Sequence, residues 1–176
     1  VVVTRTRNQA SRLSGQLRDL GADVLEIPTI KIVPPGSNEP IVEAVTGIGS
    51  YDWIVFTSPN GVEHFFDYFF KAFRDVRDLG CVRFAAVGPA TAKKLGELHL
   101  HIDLMPEVYT AEATAKALLG HQNVENISVL LARAEEANSE LPRMLEDRGA
   151  IVDDVAFYKT IPETEDRNGA AEDFEE

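Results

Sequence analysis

Small polar side chains follow an apolar run of the sequence at the point where a strand would end and a helix would begin. Thr57, Ser58 and Asn60 come directly after Trp53–Phe56, and Pro59 fits the first position of a helix. The N–H groups at the start of a helix point outward and attract anions. The turn therefore predicts a site for a carboxylate or another anion; the alternative is that these residues only cap a helix.

A second turn of the same kind follows the apolar run 83–87. Gly88 would let a ligand approach the backbone closely, Pro89 again fits a helix start, and Thr91 offers a hydroxyl group. Gly-Pro before a helix is common, so this turn alone indicates little. Ligands of open parallel sheets bind beyond the carboxyl ends of the strands, so two such turns after neighbouring strands predict one shared site.

Two arginines occupy equivalent places in an internal repeat. Residues 3–31 match residues 131–159 when Arg5 is aligned with Arg133, an offset of 133 − 5 = 128. Each arginine ends an apolar run, where its guanidinium could hold a carboxylate in two places. The alternative is an ion pair with a neighbouring helix, with Glu135 or Glu136 as the partner of the second arginine.

Tyr158 ends the last apolar run, just before the chain reaches Pro162. A phenol can donate or pass a proton. We interpret this tyrosine as facing a cleft; the alternative is a tyrosine packed at the edge of a sheet. The four histidines lack cysteine or carboxylate partners at metal-ligand spacing, and no metal site is predicted: His64, His99, His101 and His121.

The elements that must position these residues alternate between strands and helices. Each copy of the repeat reads as strand, helix, Gly-Ala turn and strand. Phenylalanines between residues 65 and 73 draw a stripe that predicts a buried helix face. Connections too long for hairpins indicate a parallel sheet covered on both faces. Strands are predicted at 1–4, 24–33, 53–56, 83–87, 102–105, 127–132 and 151–158.

The repeat predicts an α/β fold of two parallel-sheet lobes, the second inserted into the first. We assign 40–157 to a complete five-stranded second lobe and 1–32 plus 163–176 to a first lobe that is incomplete in this chain. About thirty residues cannot bury a sheet face alone. Segments 33–39 and 158–162 would link the lobes, and the gap between them would hold the site.

Composition excludes several classes of protein. The 176 residues are 44% hydrophobic and 26% charged, as in globular domains, and the net charge of −12 argues against nucleic acid or an anionic membrane as partner. The single cysteine, Cys81, cannot form an internal disulfide. No apolar run approaches the ~20 residues of a membrane span. These features predict a cytoplasmic protein.

A set of short motifs, taken in order, resembles a known family. They are Val3-Thr4-Arg5, Gly21-Ala22, Ile27-Pro28, Tyr51-Asp52-Trp53, Phe56-Thr57-Ser58-Pro59-Asn60, Ala86-Val87-Gly88-Pro89-Ala90-Thr91-Ala92, Leu131-x-Arg133-Ala134, Gly149-Ala150 and Tyr158-x-Thr160. Their order and spacing resemble those of uroporphyrinogen-III synthases from Val1 to about Pro162. Glu135-Glu136 departs from the resemblance, because many relatives carry a further arginine there.

The resemblance implies a monomeric enzyme that needs no cofactor. Its substrate would be hydroxymethylbilane, a linear tetrapyrrole with eight carboxylates, cyclised to uroporphyrinogen III with loss of water and inversion of the last ring through a spiro intermediate. Tyr158 would assist loss of the hydroxyl group. The substrate-binding residues would be Arg5, Thr57, Ser58, Asn60, Gly88, Thr91, Arg133 and Ala134. The rival hypothesis is a two-lobed binding module that closes on a small anion without reaction.

Overall fold

We obtained the structure as a computed structural model, which describes residues 1–164. The predicted contribution of 165–176 to the first lobe lies outside the described residues. The chain divides into two compact units. Of the described residues, the first contains Val1–Val33 and 160–164, and the second contains Pro34–Lys159.

The first unit is built around one strand–helix–strand segment. It contains β1 (Val2–Val3), α1 (Arg7–Asp19), β2 (Leu25–Glu26) and β3 (Ile30–Val33). The single strand predicted over 24–33 is wrong, because it is interrupted at Pro28, which has no N–H group for a strand ladder. Val3, Ala10 and Val24 form the small core of this segment.

The second unit carries a parallel sheet with helices on both faces. Its elements are α2 (Glu39–Thr46), β4 (Trp53–Phe56), α3 (Pro59–Ala72), β5 (Arg83–Ala86), α4 (Pro89–Glu97), α5 (Ala111–His121), β6 (Ser128–Ala134), α6 (Glu140–Glu146) and β7 (Ile151–Pro162). The strands lie in the order β7-β6-β4-β5 and are mutually parallel. The chain steps from β4 to β5 on one side and returns to β6 on the other, so a topological switch point lies between β4 and β6.

Two features of the sheet differ from the prediction. The strand expected at 102–105 is wrong, because only Leu104 forms a bridge, to Ala85. The Phe84 N–H group donates to the Asp103 side chain at 2.9 Å, which occupies a ladder donor that a regular strand would use. In the strand order β3 lies next to β7, and the end of β7 from Thr160 belongs to the first unit, as β3 does. Residues 158–162, expected as a linker, are part of the strand.

Both faces of the sheet are buried, as the uninterrupted apolar runs predict. In β4, Trp53 and Val55 join a core that α5 and α6 cover, while Phe56 faces α3 and packs edge-to-face against Phe65 at 5.3 Å between ring centroids. The phenylalanine stripe is therefore core, with one correction: Phe70 is 46% exposed.

The two copies of the repeat have the same strand register. In the first unit Val2 pairs with Leu25, and in the second Leu130 pairs with Asp153, which are the same positions shifted by 130 − 2 = 153 − 25 = 128 residues. Both pairs are parallel. The repeat in sequence is therefore a repeat in structure.

Both helices of the repeat also end in the same way. The Ala22 N–H group donates to the Leu17 carbonyl at 3.0 Å, and the Ala150 N–H group donates to the Leu145 carbonyl at 3.1 Å. The glycine before each alanine has a positive φ, 83° and 85°. This six-to-one closure is a Schellman turn, which favours glycine at the left-handed position, so the predicted role of the Gly-Ala turns is confirmed.

Candidate functional site

The turn after β4 is a tightly built helix start. Ser58 is the N-cap of α3, and its Oγ accepts a hydrogen bond from the Gly61 N–H group at 3.0 Å. A Cβ atom at Gly61 would lie 2.7 Å from the Ala132 carbonyl oxygen. Only glycine therefore lets the first turn of α3 approach the end of β6 so closely. Thr57 and Asn60 are half-buried in the same turn.

Ser58 and Tyr158, both predicted as site residues, are hydrogen-bonded to each other. The distance between Ser58 Oγ and the Tyr158 hydroxyl oxygen is 2.8 Å, although 158 − 58 = 100 residues separate them in the chain. Tyr158 is 6% exposed. Both residues belong to the second unit, so the contact does not depend on how the two units are arranged.

An irregularity in β7 aims Tyr158 at α3. Arg133 pairs with Ala156, but the next residue of β6, Ala134, pairs with Tyr158, so Phe157 is an extra residue on β7. Successive side chains of a regular strand point to opposite faces, and a bulge breaks this alternation. As a result Phe157 and Tyr158 both contact α3, the former through Phe65 at 5.5 Å between ring centroids.

The imidazole of His64 stacks on the phenol ring of Tyr158. Their ring centroids are 5.6 Å apart and their planes differ by 21°. Sequence reasoning missed this contact because it tested the histidine only as a metal ligand. No local signal could have revealed it, because the partner tyrosine lies 158 − 64 = 94 residues later in the chain.

The turn after β5 lies beside the turn after β4, as predicted. The Val87 N–H group donates to the Phe56 carbonyl at 2.9 Å, which holds the two strand ends together. Gly88 is the N-cap of α4 with φ 92° and ψ 157°. Because glycine has no side chain, the first N–H groups of α4 receive no cap from this residue. The ring of Tyr109, which is 55% exposed, lies against Gly88.

The hydroxyl group of Thr91 does not face a ligand position. Thr91 is 1% exposed, and its Oγ1 donates to the Val87 carbonyl at 3.0 Å. This bond closes the first turn of α4 back onto the end of β5. The expectation that the hydroxyl is offered to a ligand is therefore corrected.

Arg133 is occupied by a structural ion pair. Its side chain is held by both carboxylate oxygens of Asp154, and its Nη1 donates to the Asn138 carbonyl at 2.8 Å. Arg133 is 4% exposed. The expected alternative of an ion pair is correct, but the partner is Asp154 rather than Glu135 or Glu136.

The other arginine of the repeat has a different environment. Arg5 lies in the first unit and is exposed, and it forms no ion pair with the residues whose side chains the structure describes. Glu26 occupies the position equivalent to Asp154, since 154 − 26 = 128, but Glu26 is paired with Arg18 at 3.1 Å. The repeat therefore preserves the backbone and not the ion pair.

A groove of about 420 Å³ lies elsewhere in the second unit, between α2 and β7. Glu43, Tyr51 and Asp153 line it, and none of the predicted site residues does. The Tyr51 hydroxyl donates to Asp153 Oδ2 at 2.5 Å. Burial first, and then this carboxylate, raise the pKa of Tyr51 well above its usual value.

Two kinds of feature are missing from the part of the chain that the structure describes. No group of three or more His, Cys, Asp or Glu side chains within residues 1–164 is arranged to hold a metal ion. None of the helices in these residues is long and apolar enough to cross a bilayer.

Comparison with known proteins identifies the family. The model of "HEM4: Uroporphyrinogen-III synthase HemD" matches residues 11–176. The chain belongs to the uroporphyrinogen-III synthase family. The resemblance inferred from the short motifs is therefore confirmed.

Individual relatives agree with the family model. The chain is 34% identical to the porphyrin biosynthesis protein HemD of Ruminiclostridium josui over 91% of its own length and 32% of that protein. It is 33% identical to the uroporphyrinogen-III synthase of Synechococcus elongatus over 91% of its own length and 60% of that protein. The chain therefore spans about one to two thirds of the length of these curated relatives.

The fold is shared with solved structures of the family. A mutant uroporphyrinogen III synthase of Thermus thermophilus matches 92% of this chain and 62% of its own chain, with a TM-score of 0.66 at 19% identity. This likeness confirms an α/β fold with a mainly parallel sheet.

Proposed function

We propose that this chain carries out, as part of a uroporphyrinogen-III synthase, the cyclisation of hydroxymethylbilane to uroporphyrinogen III. Family membership supports the reaction. The observation that carries the proposal for the site is the 2.8 Å hydrogen bond between Ser58 and Tyr158 at the carboxyl end of the sheet. Two residues predicted separately as binding and catalytic meet there.

The hydrogen bonds around Ser58 allow Tyr158 to act as a proton donor. Ser58 Oγ accepts from the Gly61 N–H group, and when it donates its own hydrogen to the Tyr158 oxygen, the phenolic hydrogen is left for the substrate. Such a chain polarises each O–H bond in turn. The positive end of the α3 dipole favours negative charge at the same place. In this proposal Tyr158 donates to the departing hydroxyl group of the bilane, which leaves as water.

The remaining steps require shape more than strong catalytic groups. Loss of water gives an electrophilic azafulvene, which the last ring attacks at its substituted carbon to give a spiro intermediate. That ring is then released, inverted and rejoined. Hydroxymethylbilane cyclises unaided to the type I isomer, so the protein's task is to position the rings for the type III outcome.

The starts of α3 and α4 are the proposed contacts for the acetate and propionate groups. The turns at Thr57–Asn60 and at Gly88 lie side by side after neighbouring strands. Backbone N–H groups bind carboxylates without adding charge, which suits a chain of net charge −12 that receives an anionic substrate. Arg5 stays in the proposed binding set, whereas Arg133 supports the site through Asp154.

The domain arrangement is part of the proposal. The second unit would be one lobe inserted into the other, and the first unit would contribute to that other lobe. Segments near 33–39 and 158–162 would connect them. We also propose that the enzyme is monomeric and cytoplasmic and that it needs no cofactor.

The decisive experiment measures the isomer formed. The full-length gene product is incubated with freshly prepared hydroxymethylbilane, and the oxidised products are separated into type I and type III. We expect type III to exceed the unaided background. Type I alone would reject the enzyme and favour a binding module.

A substitution tests the role of Tyr158 in the same assay. Tyr158→Phe keeps the ring but removes the hydroxyl group, and we expect turnover to fall by about 10²-fold, within the usual range for general acid catalysis, with product binding nearly unchanged. Tyr68→Phe on the outer part of α3 is the matched control and should turn over like the parent. Unchanged turnover of Tyr158→Phe would remove this residue from the mechanism.

A further inference from the structure

Tyr158 needs more than one restraint to hold its hydroxyl group in a fixed direction. The bond to Ser58 fixes the distance of the oxygen, 2.8 Å, but a single hydrogen bond leaves the plane of the ring free to tilt about it. The ring follows a bulge, where the backbone ladder is interrupted. A second contact must therefore define the plane of the phenol.

His64 supplies that second contact. Its ring lies nearly parallel to the phenol, with 21° between the planes and 5.6 Å between centroids, within the range of offset stacking. Both contacts to Tyr158 come from one rigid element, because Ser58 caps α3 and His64 lies within it. The phenol is thus held at its oxygen and on its face by the same helix.

Core packing does not account for this histidine. Phe65 and Phe66, its neighbours in α3, are buried in the sheet core, whereas His64 is half-buried and has its ring contact with Tyr158. Glu63, the neighbour on the other side, forms its ion pair with Lys94, at 3.5 Å.

We infer that His64 is a positioning residue for Tyr158, and that its stacked ring fixes the phenol in the orientation needed for proton transfer. This inference rests on the proposed function. The ring is what the role requires, rather than the imidazole nitrogens, so another aromatic side chain should replace it.

The test compares His64→Leu with His64→Phe in the full-length protein. Leucine keeps apolar volume but removes the stack, and we expect kcat to fall about 3- to 10-fold with KM unchanged, as the usual strength of a ring pair implies. Phenylalanine restores the stack, and we expect it to recover most of kcat. Equal kcat for the leucine variant and the parent would overturn the inference.

A double substitution distinguishes positioning from a general structural effect. If His64 acts through the hydroxyl group of Tyr158, adding His64→Leu to Tyr158→Phe should cost no further kcat. An equal loss in both backgrounds would overturn the inference and make His64 a residue of stability only. Thermal unfolding of each variant identifies any that does not fold; if the leucine variant is one, His64→Gln replaces it as the ring-free variant.

A readout independent of turnover completes the test. With ¹³C-labelled tyrosine, the Tyr158 resonance is assigned by its loss in Tyr158→Phe, and it should move in His64→Leu and stay near its parental position in His64→Phe. A resonance that does not move overturns the stack itself. A parent that forms only type I product refutes the proposed function and this role with it, whereas an active parent whose leucine variant keeps full kcat refutes the positioning role alone.

Discussion

Replacing Gly61 by alanine should displace the start of α3 and weaken the bond between Ser58 and Tyr158. The new Cβ atom would lie 2.7 Å from the Ala132 carbonyl oxygen, while ordinary contact begins at 3.4 Å, so the helix start must move by 3.4 − 2.7 = 0.7 Å. If that whole movement falls on the 2.8 Å bond to Tyr158, the distance becomes 2.8 + 0.7 = 3.5 Å, the limit of a hydrogen bond.

The energetic cost has three parts. Overpacking against a rigid backbone atom costs about 1–3 kcal/mol, and the weakened hydrogen bond costs about 0.5–1.5 kcal/mol. Alanine gives back up to about 1 kcal/mol because it favours a helix more than glycine does. We therefore expect Gly61→Ala to lower the free energy of unfolding by about 0.5–4.5 kcal/mol and to reduce kcat.

Urea unfolding followed by tryptophan fluorescence measures this cost where it occurs. Trp53 is the only tryptophan of the 176 residues and is fully buried in β4, so its emission reports the second unit. Gly96→Ala in α4 is the matched control, because a Cβ atom there meets nothing within 4 Å. We expect this control to stabilise the protein by about 0.5–1 kcal/mol. Equal unfolding midpoints for Gly61→Ala and Gly96→Ala would refute the reasoning.

Two further predictions concern hydrogen-bonded pairs that the sequence alone did not reveal. Asp154→Asn leaves the buried Arg133 guanidinium without its counter-charge, and we expect urea unfolding to show a loss of about 1–3 kcal/mol in the free energy of unfolding. The control Glu135→Gln breaks an exposed pair and should change that free energy by less than about 1 kcal/mol; similar losses in both variants would contradict the buried pairing. Tyr51 has a raised pKa in the folded protein, so its contribution to stability is complete below the unfolded value of about 10 and declines as pH rises towards the folded value. Tyr51→Phe removes the bond to Asp153 and should be less stable than the parent at pH 8, and urea unfolding should show that difference narrowing above about pH 10; a difference that widens with pH would have the wrong sign.

Much of the fold follows from local pattern in the sequence. The Gly-Ala pairs end both repeat helices in a left-handed turn that glycine adopts more easily than other residues, and this preference is local to the turn. Ser58 and Pro59 mark the start of α3 by an equally local effect, since the serine caps the helix and proline suits its first position. Local signals fail where a side chain replaces a backbone bond, as Asp103 does beside Phe84.

The candidate site was predicted less completely, because the role of each of its residues depends on a partner elsewhere in the fold. Arg133 and Thr91 are polar groups at strand and helix ends, and the sequence did not show that each has an internal partner, Asp154 and the Val87 carbonyl. His64 carried no recognisable signal by itself, because its role depends on a tyrosine 158 − 64 = 94 residues later.

The sequence by itself determined the family, the βαβ repeat with its offset of 128, and the two helix starts that follow β4 and β5. Each of these is written in short segments whose conformation depends on neighbouring residues. Only the tertiary structure decided that Tyr158 meets Ser58 and His64, because the bulge at Phe157, opposite Arg133 and Ala134, sets which face of β7 its ring takes. A shift of one residue in a strand reverses the direction of every side chain that follows.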